Sequence, residues 1–236
     1  MLLLTLWIYS FYVCSLFKPD FYQAFFWPYF TFNYLFVVVL HHRYFPIQQL
    51  FDSLDCSALN LTSNNVRLLK TAIHPDANPN SSFIFSRQAA RAIVLNGENI
   101  LMLYTERYHD YTLPGGGINE GEDIIKGLMR ELTEETGAKG IADIVPFGRY
   151  EEFRPWYKND LDTMHMNSFC FTCSVHDELG KTQLEDYEMH NGMRPVWLNI
   201  HDAIKHNENT IKNSDKKGLS IERETFLLKL IIDELI

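Results

Sequence analysis

The alternation of hydrophobic and polar positions after residue 65 predicts a mixture of strands and helices. Two strand-like runs lie on either side of Gly97, an arrangement typical of a hairpin. The short third run ends in a glycine-rich loop, and the later runs are longer. The expected strands are 87–96, 98–106, 111–117, 142–153, 166–175 and 194–200.

Helical periodicity appears between and after these strands. Residues 122–136 predict an amphipathic helix with Gly137 directly after its last residue. A helical turn is expected at 201–206, and 220–236 predicts a closing amphipathic helix. Hairpins with helices packed on them predict an α+β fold, an α/β/α sandwich around a mixed β-sheet.

The first 65 residues have a different composition, which divides the chain into an aromatic-rich extension at 1–65 and a domain at 66–236. The first 45 residues carry 17 of the chain's 33 aromatic residues, and the first glycine is Gly97. Two mainly apolar runs, 1–17 and 21–40, are compatible with a membrane segment or anchor. Upstream sequence translated from a start codon assigned too early is the competing interpretation.

Net charge and cysteine positions narrow the class of function. A net charge of −9 argues against binding to a nucleic-acid backbone, which relies on clustered Lys and Arg. Cys170 and Cys173 form a CxxC in a predicted strand, where residues three apart point to opposite faces and chelate poorly. We expect both to be packing thiols in a reducing compartment, and we expect a cytoplasmic location, with anchoring through residues 1–40 as the alternative.

Three glutamates of the 122–136 helix raise a physical question. Glu131, Glu134 and Glu135 share one sector of the helix, where like charges three and four residues apart destabilise it. They flank the apolar sector formed by Ile124, Ile125, Leu128, Met129 and Leu132. A bound cation would relieve the repulsion.

The residues around these glutamates are also suited to a ligand. Gly127 lies in the same helix sector, where it would leave space beside the carboxylates. Gly115, Gly116 and Gly117 let the backbone approach a ligand closely. Carboxylate oxygens suit Mg²⁺ or Mn²⁺, which combine a few carboxylates with water and substrate phosphates. The alternative on residue types alone is a solvated acidic helix face.

The spacing of these residues resembles the Nudix box, G-x5-E-x7-R-E-U-x-E-E-x-G-U, in which U is a bulky aliphatic residue. The stretch from Gly116 to Ala138 meets every fixed position, although Ala138 is smaller than usual. The positions are Gly116, Glu122, Arg130, Glu131, Leu132, Glu134, Glu135, Gly137 and Ala138. The order of elements extends the resemblance over about 88–236.

The resemblance implies hydrolysis of a nucleoside diphosphate linked to another group, with Mg²⁺ or Mn²⁺. Glu131, Glu134 and Glu135 would hold the metal ions, with the Gly115 carbonyl as an additional ligand. The resemblance gives a structural part to four further box positions: Gly116, Glu122, Arg130 and Gly137. Glu122 and Arg130 would order the loops around the helix through an ion pair.

The general base is the least determined part of the site. The resemblance leaves it open between a box glutamate and a carboxylate from a later loop. Glu188 is the favoured candidate, with Glu185, Asp186, Glu151 and Glu152 as alternatives. The expected partner is a nucleotide-type small molecule and no nucleic acid, and a homodimer is left open. Two other functions compete: a Nudix module that senses nucleotide without hydrolysing it, and a membrane-anchored protein with an accessory Nudix domain.

Overall fold

The computed structural model describes residues 66–158 and 160–236, which contain two four-stranded sheets flanked by helices. The strands are β1 Leu68–Ile73, β2 Ile84–Ile93, β3 Leu95–Asn96, β4 Asn99–Thr105, β5 Asp110–Thr112, β6 Ala142–Pro155, β7 Thr163–Ser174 and β8 Met193–Asn199. The helices are α1 Ile124–Thr136, α2 Asp186–His190, α3 Ile200–Asn213 and α4 Ile221–Leu235. The extension at 1–65 lies outside the described residues.

The two sheets differ in strand direction. The first has the order β1-β6-β7-β2 and is mixed, because β1 pairs with β6 and β2 with β7 in parallel while β6 and β7 are antiparallel. The second is antiparallel, with β4 between β8 on one side and β3 and β5 on the other. Both sheets lie between α1 and the pair α3 and α4, which confirms the predicted α+β sandwich.

Hydrophobic side chains fill two cores, one on each side of the sheets. Leu128 and Leu132 of α1 pack with Phe169 and Phe171, whereas Cys170 belongs to the core under α3 and α4. Successive residues of a strand point to opposite faces, so β7 serves both cores. Cys170 and Cys173 are buried free thiols in different cores, as predicted from their spacing.

The predicted hairpin around Gly97 is much shorter than expected. The run 87–96 is divided between the sheets, since β2 pairs with β7 and only β3 pairs with β4. The buried Val94 marks the crossing point, and its carbonyl accepts a hydrogen bond from the Leu101 amide at 3.0 Å. Local periodicity cannot reveal this division because both segments are extended.

Two helices and one strand depart from the predicted pattern. β1 and α2 were not predicted, and α3 extends to Asn213, well beyond the expected turn at 201–206. The polar second half of α3 is held by long-range hydrogen bonds. Asn207 pairs with both backbone groups of Tyr111 at 2.8 and 2.9 Å, and Thr210 donates to the His109 carbonyl at 2.8 Å.

The helix α1 begins at Ile124, two residues later than predicted. The Asp123 side chain accepts hydrogen bonds from two amides of the first turn, which makes it the N-cap. Gly137 ends the helix in the left-handed conformation, with φ at 71°, as predicted. Met129 was wrongly placed in the buried sector, because its side chain is exposed.

The membrane hypothesis concerns only residues 1–40, which are outside the described residues. Within 66–158 and 160–236, every helix is too short or too polar to cross a bilayer.

Candidate active site

The glycine-rich loop after β5 lies along β2 as an additional extended segment. The Pro114 and Gly116 carbonyls accept hydrogen bonds from the Ala92 and Ala90 amides at 2.8 and 3.0 Å. Gly115 has φ at 130°, and a Cβ atom there would overlap the Ala90 carbonyl. Only glycine fits this position, because both the conformation and the close contact exclude a side chain.

Arg130 lies at the centre of the glutamate cluster, where its positive charge reduces the repulsion between the carboxylates. Its Nε and Nη2 atoms donate to the two carboxylate oxygens of Glu122 at 2.8 and 2.9 Å. Its Nη1 atom donates to Glu131 at 2.8 Å and to Glu134 at 3.2 Å. The hydrogen bonds from Arg130 lower the pKa of Glu122 to about 2. One guanidinium therefore contacts three carboxylates of this segment, which reduces their repulsion and leaves the cluster with a net negative charge.

The space beside Gly127 is taken by the protein itself. A Cβ atom at Gly127 would lie 2.5 Å from the Ile118 Cδ1 atom and 3.2 Å from a Glu122 carboxylate oxygen. The expectation that Gly127 leaves room for a ligand is wrong. Its side-chain hydrogen instead allows Ile118 and Glu122 to pack against the helix.

Gly116 provides the close approach that was expected of the loop. A Cβ atom at Gly116 would overlap the Glu131 carboxylate, which therefore lies directly on the loop backbone. Burial is the main cause that raises the pKa of Glu131, although hydrogen bonding and charge from Arg130 oppose it. Glu134, one turn along, is the more exposed of the two, with 36% of its side chain accessible.

Glu135 lies on the buried side of α1 and contacts the glycine-rich loop through the Gly115 amide. Only 4% of the residue is exposed, and its Oε2 atom accepts a hydrogen bond from the Gly115 amide at 2.5 Å. Burial raises the pKa of Glu135 to about 8, and the charges of Glu131 and Glu188 add to the rise. The structure thus keeps an acidic group in a setting that disfavours its charge.

A cavity of about 610 Å³ opens beside this loop. Its lining brings together Gly115, Gly116, Glu135 and Glu188, whereas Glu131 and Glu134 lie outside the lining, beside Arg130. The cavity has the size of a small-molecule site.

Glu188 enters the cavity from α2, a helix absent from the sequence prediction. The residue is 4% exposed, and its two carboxylate oxygens accept hydrogen bonds from the Tyr187 hydroxyl at 2.9 Å and the Glu185 amide at 2.8 Å. Two alternative bases are not part of the cavity lining: Glu151 is bonded to Thr71 and His165, and Glu152 is paired with two arginines.

The donor chemistry fits a hard divalent cation, but the ligands are not assembled. Among the described residues, no three His, Cys, Asp or Glu side chains converge on one point. Arg130 bonds to one carboxylate oxygen of Glu131 and one of Glu134, and the second oxygen of each is not used by Arg130. The raised pKa values of Glu131 and Glu135 mark a surplus of buried negative charge that a cation would offset.

Several cavity residues were not recognised in the sequence. The Arg91 guanidinium donates a hydrogen bond to the Gly115 carbonyl, which is the group expected to bind metal. Arg87 and Arg91 also line the cavity, as do Arg154 and Arg223. A signal for the first two exists in "RQAAR", because residues four apart in a strand share a face. Nothing local identifies Arg154 or Arg223.

Comparisons with known proteins agree with the presence of a Nudix box at Gly116–Ala138. The sequence profile of the NUDIX domain matches residues 86–219, more than half of the chain. Nudix hydrolase 12, mitochondrial, of Arabidopsis thaliana is 26% identical over 117 residues, covering 47% of this chain and 53% of that protein. The RNA pyrophosphohydrolase of Bartonella quintana (strain Toulouse) is 43% identical over 56 residues, covering 24% and 29% of the two chains.

The solved structures that resemble this chain are distant in sequence. The MutT NUDIX hydrolase from Burkholderia pseudomallei is 16% identical, with a TM-score of 0.39 and coverage of 50% of this chain and 85% of that one. This chain spans about half the length of the first curated relatives. On the domain match and the complete box from Gly116 to Ala138, the chain belongs to the Nudix family.

Proposed function

We propose that the chain hydrolyses a phosphoanhydride bond in a nucleoside diphosphate linked to another group, with the help of Mg²⁺ or Mn²⁺. The proposal rests on family membership and on the complete set of box carboxylates. The structural observation that supports it most is that Glu135 and Glu188 line one cavity beside the Gly115–Gly117 loop. These two buried acids come from separate helices, and each also holds a backbone amide, Glu135 that of Gly115 and Glu188 that of Glu185.

In this proposal Glu131, Glu134 and Glu135 hold the divalent cation, with the Gly115 carbonyl as a further oxygen donor. A cation bound there supplies charge neutralisation for the phosphates and acidity for the attacking water. The Gly115 carbonyl has two lone pairs, so its hydrogen bond from Arg91 leaves one available. Arg91 then keeps that carbonyl at a fixed angle to the cavity.

Glu188 is the proposed general base, which takes the proton from the attacking water. Hydrogen bonds from Tyr187 and from the Glu185 amide hold its carboxylate in one orientation. A fixed carboxylate lowers the cost of orienting the reacting groups during hydrolysis. Its burial keeps bulk water away from the reacting groups once the cavity is filled.

The substrate is proposed to be a nucleotide-type small molecule. The relatives from Bartonella quintana and Sphingopyxis alaskensis are named RNA pyrophosphohydrolases, but they match only 24% and 18% of this chain. The chain's net charge of −9 disfavours long nucleic acids. A short 5′-triphosphorylated RNA therefore belongs among the substrates to be tested, alongside sugar nucleotides, dinucleotides and nucleoside triphosphates.

The decisive experiment is a hydrolysis screen of these substrates with Mg²⁺ or Mn²⁺, in which both products are identified. The wild-type chain is compared with Glu134→Gln and with Glu120→Gln, an exposed acid of the same loop and helix segment. We expect Glu134→Gln to abolish turnover with the fold retained, whereas Glu120→Gln stays active. Unchanged turnover in Glu134→Gln would remove this residue from the mechanism.

A nucleotide sensor without hydrolysis is the competing function, and the complete set of box carboxylates weighs against it. The same screen separates the two functions. Tight nucleotide binding by the wild-type chain, with no product from any substrate and either metal, would replace hydrolysis by sensing.

A further inference from the structure

The cavity is lined by more positive than negative side chains, although the chain as a whole is acidic. Its lining contains three carboxylates, from Asp110, Glu135 and Glu188. It also contains five cations: Arg87, Arg91, Arg154, Lys217 and Arg223. In a protein of net charge −9, this local excess points to an anionic ligand.

Three of the five cations are already engaged by the protein. Arg91 is bonded to the Gly115 carbonyl, and Arg154 is paired with Glu152. Arg223 forms ion pairs with Glu152 at 2.9 Å and Glu224 at 2.6 Å. These side chains support the floor of the cavity, and the two cations unpaired within the described residues, Arg87 and Lys217, are left to bind a ligand charge.

Arg87 and Lys217 are exposed and are not paired with any carboxylate in the described part of the chain. The Arg87 guanidinium lies over Gly117, since a Cβ atom there would overlap it. It therefore reaches the same glycine loop that Glu131 and Glu135 contact. Within 66–158 and 160–236, the Lys217 ammonium has only a long contact of 3.5 Å to the Ile211 carbonyl.

Arg154 shares its carboxylate partner with a second arginine. Glu152 pairs with both Arg154 and Arg223, and Arg223 also pairs with Glu224, so two carboxylates face two arginines. Burial and the charge of Arg223 lower the pKa of Arg154. The Arg154 guanidinium has more N–H donors than its bond to Glu152 uses, so it can also donate to an anion in the cavity.

The strand register places Arg87 and Arg154 on the same face of the first sheet. Met166 of β7 is level with Arg87, and Met164 is level with Arg154. The two arginines are therefore two strands and two residues apart, with Cα atoms separated by about 12 Å. Two extended arginine side chains can reach an anion placed between them at that distance.

We propose that Arg87, Arg154 and Lys217 form a second anion-binding subsite, which holds a phosphate group of the substrate beyond the two phosphates that meet the glutamates. This inference rests on the proposed function and narrows its substrate class. The substrate is a nucleotide with a linear chain of three or more phosphates. Nucleoside triphosphates, dinucleoside polyphosphates and 5′-triphosphorylated ends share that chemistry.

Binding of inorganic polyphosphate tests the subsite without any turnover. Calorimetric titration of the full chain with tripolyphosphate and with pyrophosphate, in the absence of divalent metal, compares the wild type with Arg87→Gln and Lys217→Gln. We expect tripolyphosphate to bind the wild type more tightly than pyrophosphate does, and each variant to weaken tripolyphosphate binding about tenfold, the loss of one charge-assisted hydrogen bond. Lys216→Gln, which changes the neighbouring exposed lysine, is the matched control and should bind as the wild type does.

Equal weakening by Lys216→Gln, or unchanged tripolyphosphate binding in both Arg87→Gln and Lys217→Gln, would overturn the subsite. Steady-state kinetics provide the second arm, with nucleoside triphosphate, 5′-triphosphorylated RNA and a two-phosphate sugar nucleotide as substrates. We expect Arg87→Gln to raise KM more for the triphosphates than for the sugar nucleotide, with a smaller change in kcat. Equal KM changes for all three would also overturn it.

The two arms separate this inference from the proposed function. Loss of tripolyphosphate binding in Arg87→Gln, in a chain that hydrolyses none of the substrates, would support the subsite and remove the hydrolase function. If Arg87→Gln hydrolysed every substrate with the same kcat and KM as the wild type, the hydrolase function would be supported and the subsite would be overturned.

Discussion

Two ionic clusters border the cavity, and they differ in how far apart their members lie in the sequence. The box cluster joins Arg130 to Glu122, Glu131 and Glu134, at most eight residues away. The floor cluster joins Arg223 to Glu152, 71 residues away, and to the adjacent Glu224, whose side chain binds the Leu113 amide 111 residues away.

Burial separates the clusters as clearly as sequence distance. The Arg130 side chain is 28% exposed, whereas Arg223 is 3% and Glu224 is 0% exposed. A half-exposed cluster can rearrange when a ligand arrives, because water replaces each contact it loses. A buried cluster cannot, because each charge left alone bears a large desolvation cost. We therefore expect the box cluster to govern activity and the floor cluster to govern stability.

The strongest test of this contrast is Arg223→Met. It leaves the buried Glu224 without its arginine partner and Glu152 with Arg154 alone, so we expect a loss of about 3–5 kcal/mol in the free energy of unfolding. Urea denaturation of the full chain measures it. If Arg223→Met does not fold, Arg223→Lys retains one charge and should show an intermediate loss. If either variant lost no more unfolding free energy than the loss of an exposed ion pair causes, the floor cluster would not govern stability.

Asp110 tests the electrostatic balance of the floor cluster through pH. Burial, and then the charge of Glu224, raises the pKa of Asp110 to about 7. Since the folded pKa lies above the unfolded value, the folded chain binds more protons than the unfolded one between about pH 4 and 7. Stability contributed by Asp110 is therefore lost as pH rises through that window.

The corresponding variant is Asp110→Asn. Removing the ionisable group should raise stability by roughly 2–4 kcal/mol at pH 8 and leave it nearly unchanged at pH 4. Thermal unfolding at the two pH values provides the measurement. A gain of equal size at both would show that the carboxyl does not titrate in this way.

Arg130→Met tests the box cluster. Because Arg130 orders Glu122 and is bonded to the metal-binding candidates Glu131 and Glu134, we expect a roughly 10–100-fold loss of metal-dependent activity. The midpoint of unfolding should change much less than in Arg223→Met. Titration of activity with Mg²⁺ would show a raised metal requirement. If the variant instead unfolds as readily as Arg223→Met, the two clusters do not differ as argued.

The smallest effect is expected from Arg67→Met, which removes an exposed ion pair with Glu234. The pair is short, at 2.7 Å, but 55% of the Arg67 side chain is exposed. The expected change is within about 1 kcal/mol and should diminish further at high salt. This variant is the exposed reference against which the loss in Arg223→Met is judged.

Most regular elements could be predicted, because strands such as β6 and β7 carry their own apolar patterns. The missed helix α2 has five residues, and its polar sequence resembles a loop acid cluster. The long helix α3 was underestimated because Asn207 and Thr210 are stabilised by β5 and its preceding turn, not by an apolar face. In both cases the decisive contacts lie far away in the sequence.

The sequence by itself determined the family, the fold class and the glutamate cluster beside the cavity. That cluster lies within one loop and one helix, where fixed spacing dictates which side chains adjoin. Only the tertiary structure decided that Arg130 occupies the centre of the glutamates, that Ile118 fills the space at Gly127, and that the cavity has a basic half. Arg154 and Lys217 come from different elements, and neighbours of that kind arise from the packing of sheets and helices, which local periodicity does not encode.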